Sequence, residues 1–248
     1  MRCRRHWLRW IYKEKGEYII MGVQITPKEL AAYFDHTQLR AYAVHEDFEK
    51  LCKESMDYGF AMVAINPAQV VRCCRLLKGS EVHVGAAVGF PLGQTTVEDK
   101  CNETKTAIAN GADEIDYVIN ITELKEKNYS YIEEEMAKIV KICRDSNVIS
   151  KVIFENCYLT DQEKEEMCRI ALNVRPDYIK TSTGFGTGGA TFEDVALMKR
   201  IVGDHVKVKA AGGIRNLETA LKMIDLGVSR IGSTASVAIV EELKKSLQ

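Results

Sequence analysis

The sequence predicts an α/β protein built as a single (β/α)8 barrel of the TIM type with an extra N-terminal helix, and three observations lead there. Its 248 residues match the usual size of one such barrel. From Thr26 onward, short β-branched apolar runs alternate with amphipathic stretches of helical period, the pattern of a parallel sheet covered by helices. The runs number eight, which makes closure the economical arrangement. An open doubly wound sheet would want a G-x-G-x-x-G turn after an early strand, and no early strand carries one.

In chain order, a leading helix is placed near 27–33 and a first strand at 34–37. A helix at 46–58 ends on Gly59, and strands follow at 60–66 and 82–88. The helix at 96–110 runs out at Gly111 before a strand at 114–120, and the helix at 131–145 precedes a strand at 150–154. Thr160 and Thr191 offer side-chain caps to helices at 161–172 and 192–202, between which lies a strand at 177–180. The last pair of strands, 206–210 and 229–232, flanks a helix at 217–226 that stops at Gly227.

With 46% hydrophobic and 28% charged residues, the chain has the composition of a globular domain. Lys and Arg total 34 against 35 acidic residues, so no whole-chain basic field exists to hold nucleic acid or an anionic membrane, and any phosphate site must be local. No apolar run reaches the roughly 18 residues of a membrane span. The 8 cysteines form no C-x-x-C pair and read as small reduced hydrophobes of a cytoplasmic protein. The 5 histidines show neither H-x-H nor H-E-x-x-H spacing, so no metal site is expected. The first twenty residues carry six Lys or Arg against two Glu, a local charge of +4, and differ from everything after them. Residues 1–21 are therefore expected to be an extension outside the barrel, Met21 serving equally well as a start, with one domain over 22–248.

Reactive groups of such barrels lie at the carboxyl ends of strands, so polar residues that close apolar strands are the candidates. Three stand out: Asp116 in Glu114-Ile115-Asp116-Tyr117-Val118, Lys180 in Asp177-Tyr178-Ile179-Lys180, and Lys209 in Val206-Lys207-Val208-Lys209. Alternation puts Asp116 on a face with Glu114, and Lys209 with Lys207, leaving open which of each pair points inward. A single strand-end lysine is ordinarily a solvated charge. Two lysines and an acid converging in a barrel mouth would instead serve chemistry, because attack on an aldehyde needs a neutral amine and a nearby ammonium disfavours the charged one. A fall in pKa from about 10.4 to about 7.5 would raise the neutral fraction at pH 7 from well under 0.1% to roughly a quarter. Glycine-rich turns follow the last three strands: 183–189, Ala211-Gly212-Gly213 and Gly232-Ser233-Thr234. Their bare backbone N–H groups suit a phosphate.

At these residues the sequence resembles the deoxyribose-phosphate aldolase family, over nearly the whole stretch 30–242. Lys180-Thr181-Ser182-Thr183-Gly184 is similar to its Schiff-base signature, Gly111-Ala112-Asp113-Glu114-Ile115-Asp116 to its proton-transfer strand, and Lys209-Ala210-Ala211-Gly212-Gly213 to its second-lysine segment. Val88-Gly89-Phe90-Pro91-Leu92-Gly93 and Asp35-His36-Thr37 match as well. The resemblance implies Lys180 as the imine-forming lysine, Lys209 as its pKa-lowering neighbour and Asp116 as proton donor and acceptor. It further implies that Asp35 and Thr37 contact a sugar hydroxyl, that Lys151 supports the proton network and that Thr183 positions the lysine. Gly184, Gly212, Gly213, Gly232, Ser233 and Thr234 would surround the phosphate. No cofactor is implied; the expected partners are a phosphorylated sugar, small aldehydes and other copies of the chain in a homodimer or higher homo-oligomer. Departures from the family pattern are Ala235 where a second Ser is frequent, Ala64 for Cys, Gln38 and Arg40 for Leu and Lys, and Asn156 for Thr. The competing expectations are another Schiff-base barrel aldolase, transaldolase-like in substrate, and a non-catalytic sugar-phosphate sensor, which would have no need of a neutral amine.

Overall fold

The computed structural model describes the backbone of residues 11–14, 17–20 and 23–247 and the side chains of 25–247. Eight parallel strands close into a barrel: β4 (Phe34–Gln38), β5 (Met62–Ile65), β6 (His83–Val88), β7 (Glu114–Val118), β8 (Ile149–Ile153), β9 (Tyr178–Lys180), β10 (Lys207–Ala211) and β11 (Arg230–Ser233), which pairs back onto β4. The expected closed barrel is therefore the fold, and every expected strand is present with its ends moved by a residue or two. Alternation sorts the side chains. Ile115 and Tyr117 of β7, Val152 of β8, Ile179 of β9 and Val208 of β10 are buried in the hydrophobic core. The alternate positions Asp116, Lys151, Lys180 and Lys209 are buried too, and carry charge.

The core is sealed by α1 (Pro27–Ala31), α2 (His45–Tyr58), α3 (Val70–Leu76), α4 (Val97–Ala109), α5 (Ile121–Lys125), α6 (Tyr129–Asp145), α7 (Asp161–Val174), α8 (Phe192–Val202), α9 (Leu217–Asp225) and α10 (Ser236–Ser246). The expected caps form: Thr160 Oγ1 accepts from the Glu163 N–H at 3.3 Å while Glu163 Oε2 accepts from the Thr160 N–H at 2.7 Å, a reciprocal box, and Thr191 Oγ1 accepts from the Asp194 N–H at 3.1 Å. Helix α2 ends on Gly59 in the left-handed conformation, φ +70°, where a side chain would be strained.

A separate antiparallel meander, β1 (Ile11–Glu14), β2 (Glu17–Ile20) and β3 (Val23–Ile25), precedes the barrel. The extension expected at 1–21 lies largely outside the described residues, as does Cys3. Among the described residues, no helix is long and apolar enough to cross a membrane, and the seven cysteines are unpaired, five of them buried.

Candidate active site

Strand register assembles the site before any side chain is considered. Asp116 on β7 is the Cα partner of Lys151 on β8, and Lys180 on β9 is the partner of Lys209 on β10. Four charged residues from four consecutive strands thus meet in one layer of the barrel interior. Lys180 Nζ lies 2.8 Å from Asp116 Oδ2, Lys209 Nζ lies 2.7 Å from the same oxygen, and Lys151 Nζ lies 2.7 Å from Oδ1. The structure therefore brings Lys180, Lys209, Asp116 and Lys151 together around one carboxylate.

Further acids hold the lysines from below. Lys209 pairs with Asp35 Oδ2 at 2.5 Å, and Lys151 pairs with Glu114 Oε2. Arg230 Nη1 lies 2.6 Å from Asp35 Oδ1, and its Nη2 lies 3.3 Å from Glu114 Oε1, which also meets His83 Nδ1 at 2.7 Å. Both Glu114 and Asp116 turn out to face inward, whereas Lys207, on the same face as Lys209, is exposed at the amino end of β10. Asp35 is fully buried with both oxygens committed to Lys209 and Arg230, and only Thr37 of the Asp35–Thr37 pair reaches the cavity.

These contacts set the charge states. Burial is the largest influence on Lys180 and brings its pKa down to about 8; Asp116 opposes the fall, while repulsion from Lys209 and Lys151 assists it. Burial would raise Asp116, but Lys151, Lys180 and Lys209 together hold its carboxyl well below the usual range. Burial would lower Lys151, yet Asp116, Glu114 and Asp35 keep it firmly charged. At pH 7, a pKa near 8 leaves about a tenth of Lys180 as free amine, roughly two-hundred-fold more than a lysine at its reference value. Its neighbour Lys151 stays an ammonium, so the layer contains one lysine disposed to lose its proton beside one disposed to keep it.

Above this layer opens a cavity of about 350 Å³. Lys180, Thr37 and Thr183 line it, as do Gly184, Gly212, Gly213, Gly232, Ser233 and Thr234. Asp116, Lys151, Lys209 and Asp35 stand behind its wall. The glycine turns pack backbone against backbone: a Cβ on Gly189 would lie 2.3 Å from the Gly212 carbonyl oxygen, and Ala190 N–H donates to the carbonyls of Ala211 and Gly212, both at 3.0 Å. Ser233 spends its hydroxyl internally, donating to Ile214 O at 2.8 Å and accepting from Ala235 N–H at 2.9 Å. Ala235 is the N-cap of α10 and supplies no side-chain oxygen, so the first N–H groups of that helix are left without a side-chain cap directly after the cavity-lining turn.

Several cavity residues were not anticipated. Arg40 and Arg215 line it, giving an otherwise near-neutral chain two local cations. Gln38 lines it with its amide oxygen accepting from Arg40 N–H at 3.3 Å. Glu155, buried with φ +53°, accepts from Thr183 N–H at 3.1 Å and from the Thr183 hydroxyl, fixing the loop after β9. The rule used for Lys180 would have found Glu155, a polar residue closing the apolar run 152–154; Arg215 carries the weaker signal of a cation next to a glycine turn. Among the described residues, no group of three or more His, Cys, Asp or Glu is placed to hold a metal ion.

Comparison with known proteins adds an independent line. Residues 29–236 match the model of the DeoC/LacD family of aldolases. The chain is similar to the deoxyribose-phosphate aldolase of Bacteroides thetaiotaomicron, 54% identical over 226 residues that cover 90% of this chain and 95% of that one. The same identity relates it to the Lactobacillus acidophilus deoxyribose-phosphate aldolase over 222 residues, 90% of this chain and 94% of the other. Among solved structures, a deoxyribose phosphate aldolase from Aeropyrum pernix, described as a unique tetramer, superposes with a TM-score of 0.83 at 30% identity, covering 89% of this chain and 93% of that one.

Proposed function

The chain belongs to the DeoC/LacD family of aldolases, and on that premise we propose that it is a deoxyribose-phosphate aldolase, cleaving 2-deoxy-D-ribose 5-phosphate reversibly to D-glyceraldehyde 3-phosphate and acetaldehyde. The observation that carries this reading is Lys180, a buried lysine with a pKa near 8, set in the wall of a cavity whose far side is glycine-turn backbone. Its free amine adds to C1 of the open-chain aldehyde, and loss of water from the carbinolamine leaves a protonated imine. Removal of the C3 hydroxyl proton lets the C2–C3 bond break, its electron pair passing to C2 and toward the imine nitrogen as glyceraldehyde 3-phosphate departs. Protonation of the resulting enamine at C2, then hydrolysis, releases acetaldehyde and restores Lys180.

Asp116 is the group placed to move these protons, directly or through one water, since its Oδ2 touches the reacting nitrogen at 2.8 Å. Lys209 shares that oxygen and adds repulsion that favours the free amine. Lys151, clamped by Glu114, fixes the other oxygen. Asp35 acts in this scheme by holding Lys209, and Thr37 is left to meet a sugar hydroxyl. The phosphate lies against Gly184, Gly212, Gly213, Gly232, Ser233 and Thr234, with Arg40 and Arg215 supplying charge. The imine is itself the electron sink that a divalent ion provides in metal-dependent aldolases, so turnover is expected to survive exhaustive chelation. We further propose a cytoplasmic homo-oligomer, in line with the tetramer described for the Aeropyrum pernix protein.

The test is direct. Purified protein incubated with 2-deoxyribose 5-phosphate should yield equal amounts of acetaldehyde and glyceraldehyde 3-phosphate, with or without EDTA. Transfer of a three-carbon ketol unit between sugar phosphates in place of cleavage would move the protein to a transaldolase-like activity, and binding without product would make it a sensor.

A further inference from the structure

A second buried ion pair lies outside the barrel, in the layer between β7 and helices α4 and α6. Lys100 and Glu135 are both fully buried, with Lys100 Nζ 2.6 Å from Glu135 Oε1. The same ammonium donates to the Val118 carbonyl at 2.8 Å, and Glu135 Oε2 accepts from the Asn120 N–H at 3.1 Å. Together they grip the chain two and four residues beyond Asp116, at the last residue of β7 and just past it.

The grip extends to the next loop. A Cβ on Gly89, whose φ is +57°, would approach Lys100 Cε to 3.0 Å, so the lysine stem runs directly beneath this glycine. Gly89 N–H donates to Glu103 Oε2 at 2.8 Å. Four residues on, a Cβ at Gly93 would fall 1.9 Å from the Ile119 carbonyl oxygen, so this loop and the end of β7 are in backbone contact. Between the two glycines Phe90 meets Phe185 edge-on, ring centroids 5.4 Å apart, and Phe185 lines the cavity.

Stability alone does not account for the pair. Burying two charges forfeits their hydration, and apolar residues of the same volume are often equally stable or more so. Burial pushes Lys100 down and Glu135 up despite their mutual attraction, each toward its neutral form. What charged groups supply here, and apolar ones could not, is directed hydrogen bonding to two peptide groups at the end of the strand that carries the proton-transfer carboxylate.

We propose that Lys100 and Glu135 are positioning residues that fix the carboxyl end of β7 and thereby the contact between Asp116 and Lys180. Neither residue lines the cavity, and the inference rests on the roles given above to Asp116 and Lys180.

The experiment replaces both charges at once, Lys100→Met with Glu135→Leu, so that no lone ion is left buried. The expected variant melts at or above the wild-type temperature, yet its kcat for 2-deoxyribose 5-phosphate cleavage falls about 10- to 100-fold with KM unchanged within about two-fold. Its acid limb of kcat/KM moves to lower pH, because Lys180 loses part of the Asp116 contact that raises its pKa. If the double variant does not fold, Glu135→Gln serves, since Lys100 and Asn120 donate to different oxygens of Glu135 and the amide replaces one of these with an NH2 group that cannot accept; it should show the same signature at smaller size. Wild-type kcat and an unmoved pH limb in a folded variant would overturn the proposal. So would a loss of activity that disappears once rates are expressed per folded molecule. An inactive wild-type protein in the same assay would instead overturn the proposed function, and this inference with it.

Discussion

Burial is the largest influence on the Lys180 amine, and the signs of the effects of its three charged neighbours can be separated from it. Asp116 raises its pKa while Lys209 and Lys151 lower it. The free amine is the nucleophile, so kcat/KM should climb as pH rises through about 8 and flatten above it. In Lys209→Met, the loss of a repelling charge raises the Lys180 pKa, and each unit of rise removes about nine-tenths of the free amine at pH 7. The acid limb of the pH–rate profile should therefore move to higher pH, with activity partly recovered in alkaline buffer; a limb that stays put or moves down would contradict the role given to Lys209. At this scale the sequence was informative where a charge closes or interrupts an apolar strand: Lys180 ends β9, while Asp116 and Lys209 stand in the middle of β7 and β10. It was silent on which charges neutralise one another. Glu114 and Arg230 belong to the same network, but their pairing depends on barrel closure bringing β11 beside β4 and across from β7, which no local pattern records.

Elements place these residues, and the loops at the strand ends shape the cavity. The turn after β9 presses on the turn after β10 so closely that Gly189→Ala would set a methyl 2.3 Å from a backbone oxygen, an obstacle that no rotamer change relieves. That substitution is expected to raise KM for 2-deoxyribose 5-phosphate about ten-fold or more and to cost about 1–3 kcal/mol of stability. Unchanged KM in steady-state kinetics would remove these turns from phosphate binding. All eight barrel strands could be read from the sequence because parallel strands buried on both faces leave dense apolar runs between glycine and threonine punctuation. The short α3 and α5, of seven and five residues, offer too few turns for a helical period to register. The meander β1–β3 is not legible in the sequence, because strands of three or four residues are too short for an alternation to register.

At the scale of the described molecule, the barrel's helix layer and interior charges are built from a single stretch of chain, 27–246. The barrel strands and the helices that cover them all lie within residues 27–246, so a protein begun at Met21 keeps every one of these elements. It is expected to melt within about 2 °C of the full chain and to keep its kcat within about two-fold, checked by calorimetry and steady-state assay; a collapse of either would give residues 1–20 a structural task. The closed fold was legible because strand number, chain length and glycine placement agreed. Assembly between copies was not, since the sequence does not mark which apolar helix faces meet a second chain. The central claim, imine chemistry on Lys180, is tested most directly by borohydride reduction in the presence of acetaldehyde or 2-deoxyribose 5-phosphate, followed by intact and peptide mass spectrometry. The expected result is one stable adduct on the peptide containing Lys180, absent from Lys180→Ala. A folded wild-type protein that traps nothing, or an adduct on Lys209 in its place, would contradict the account.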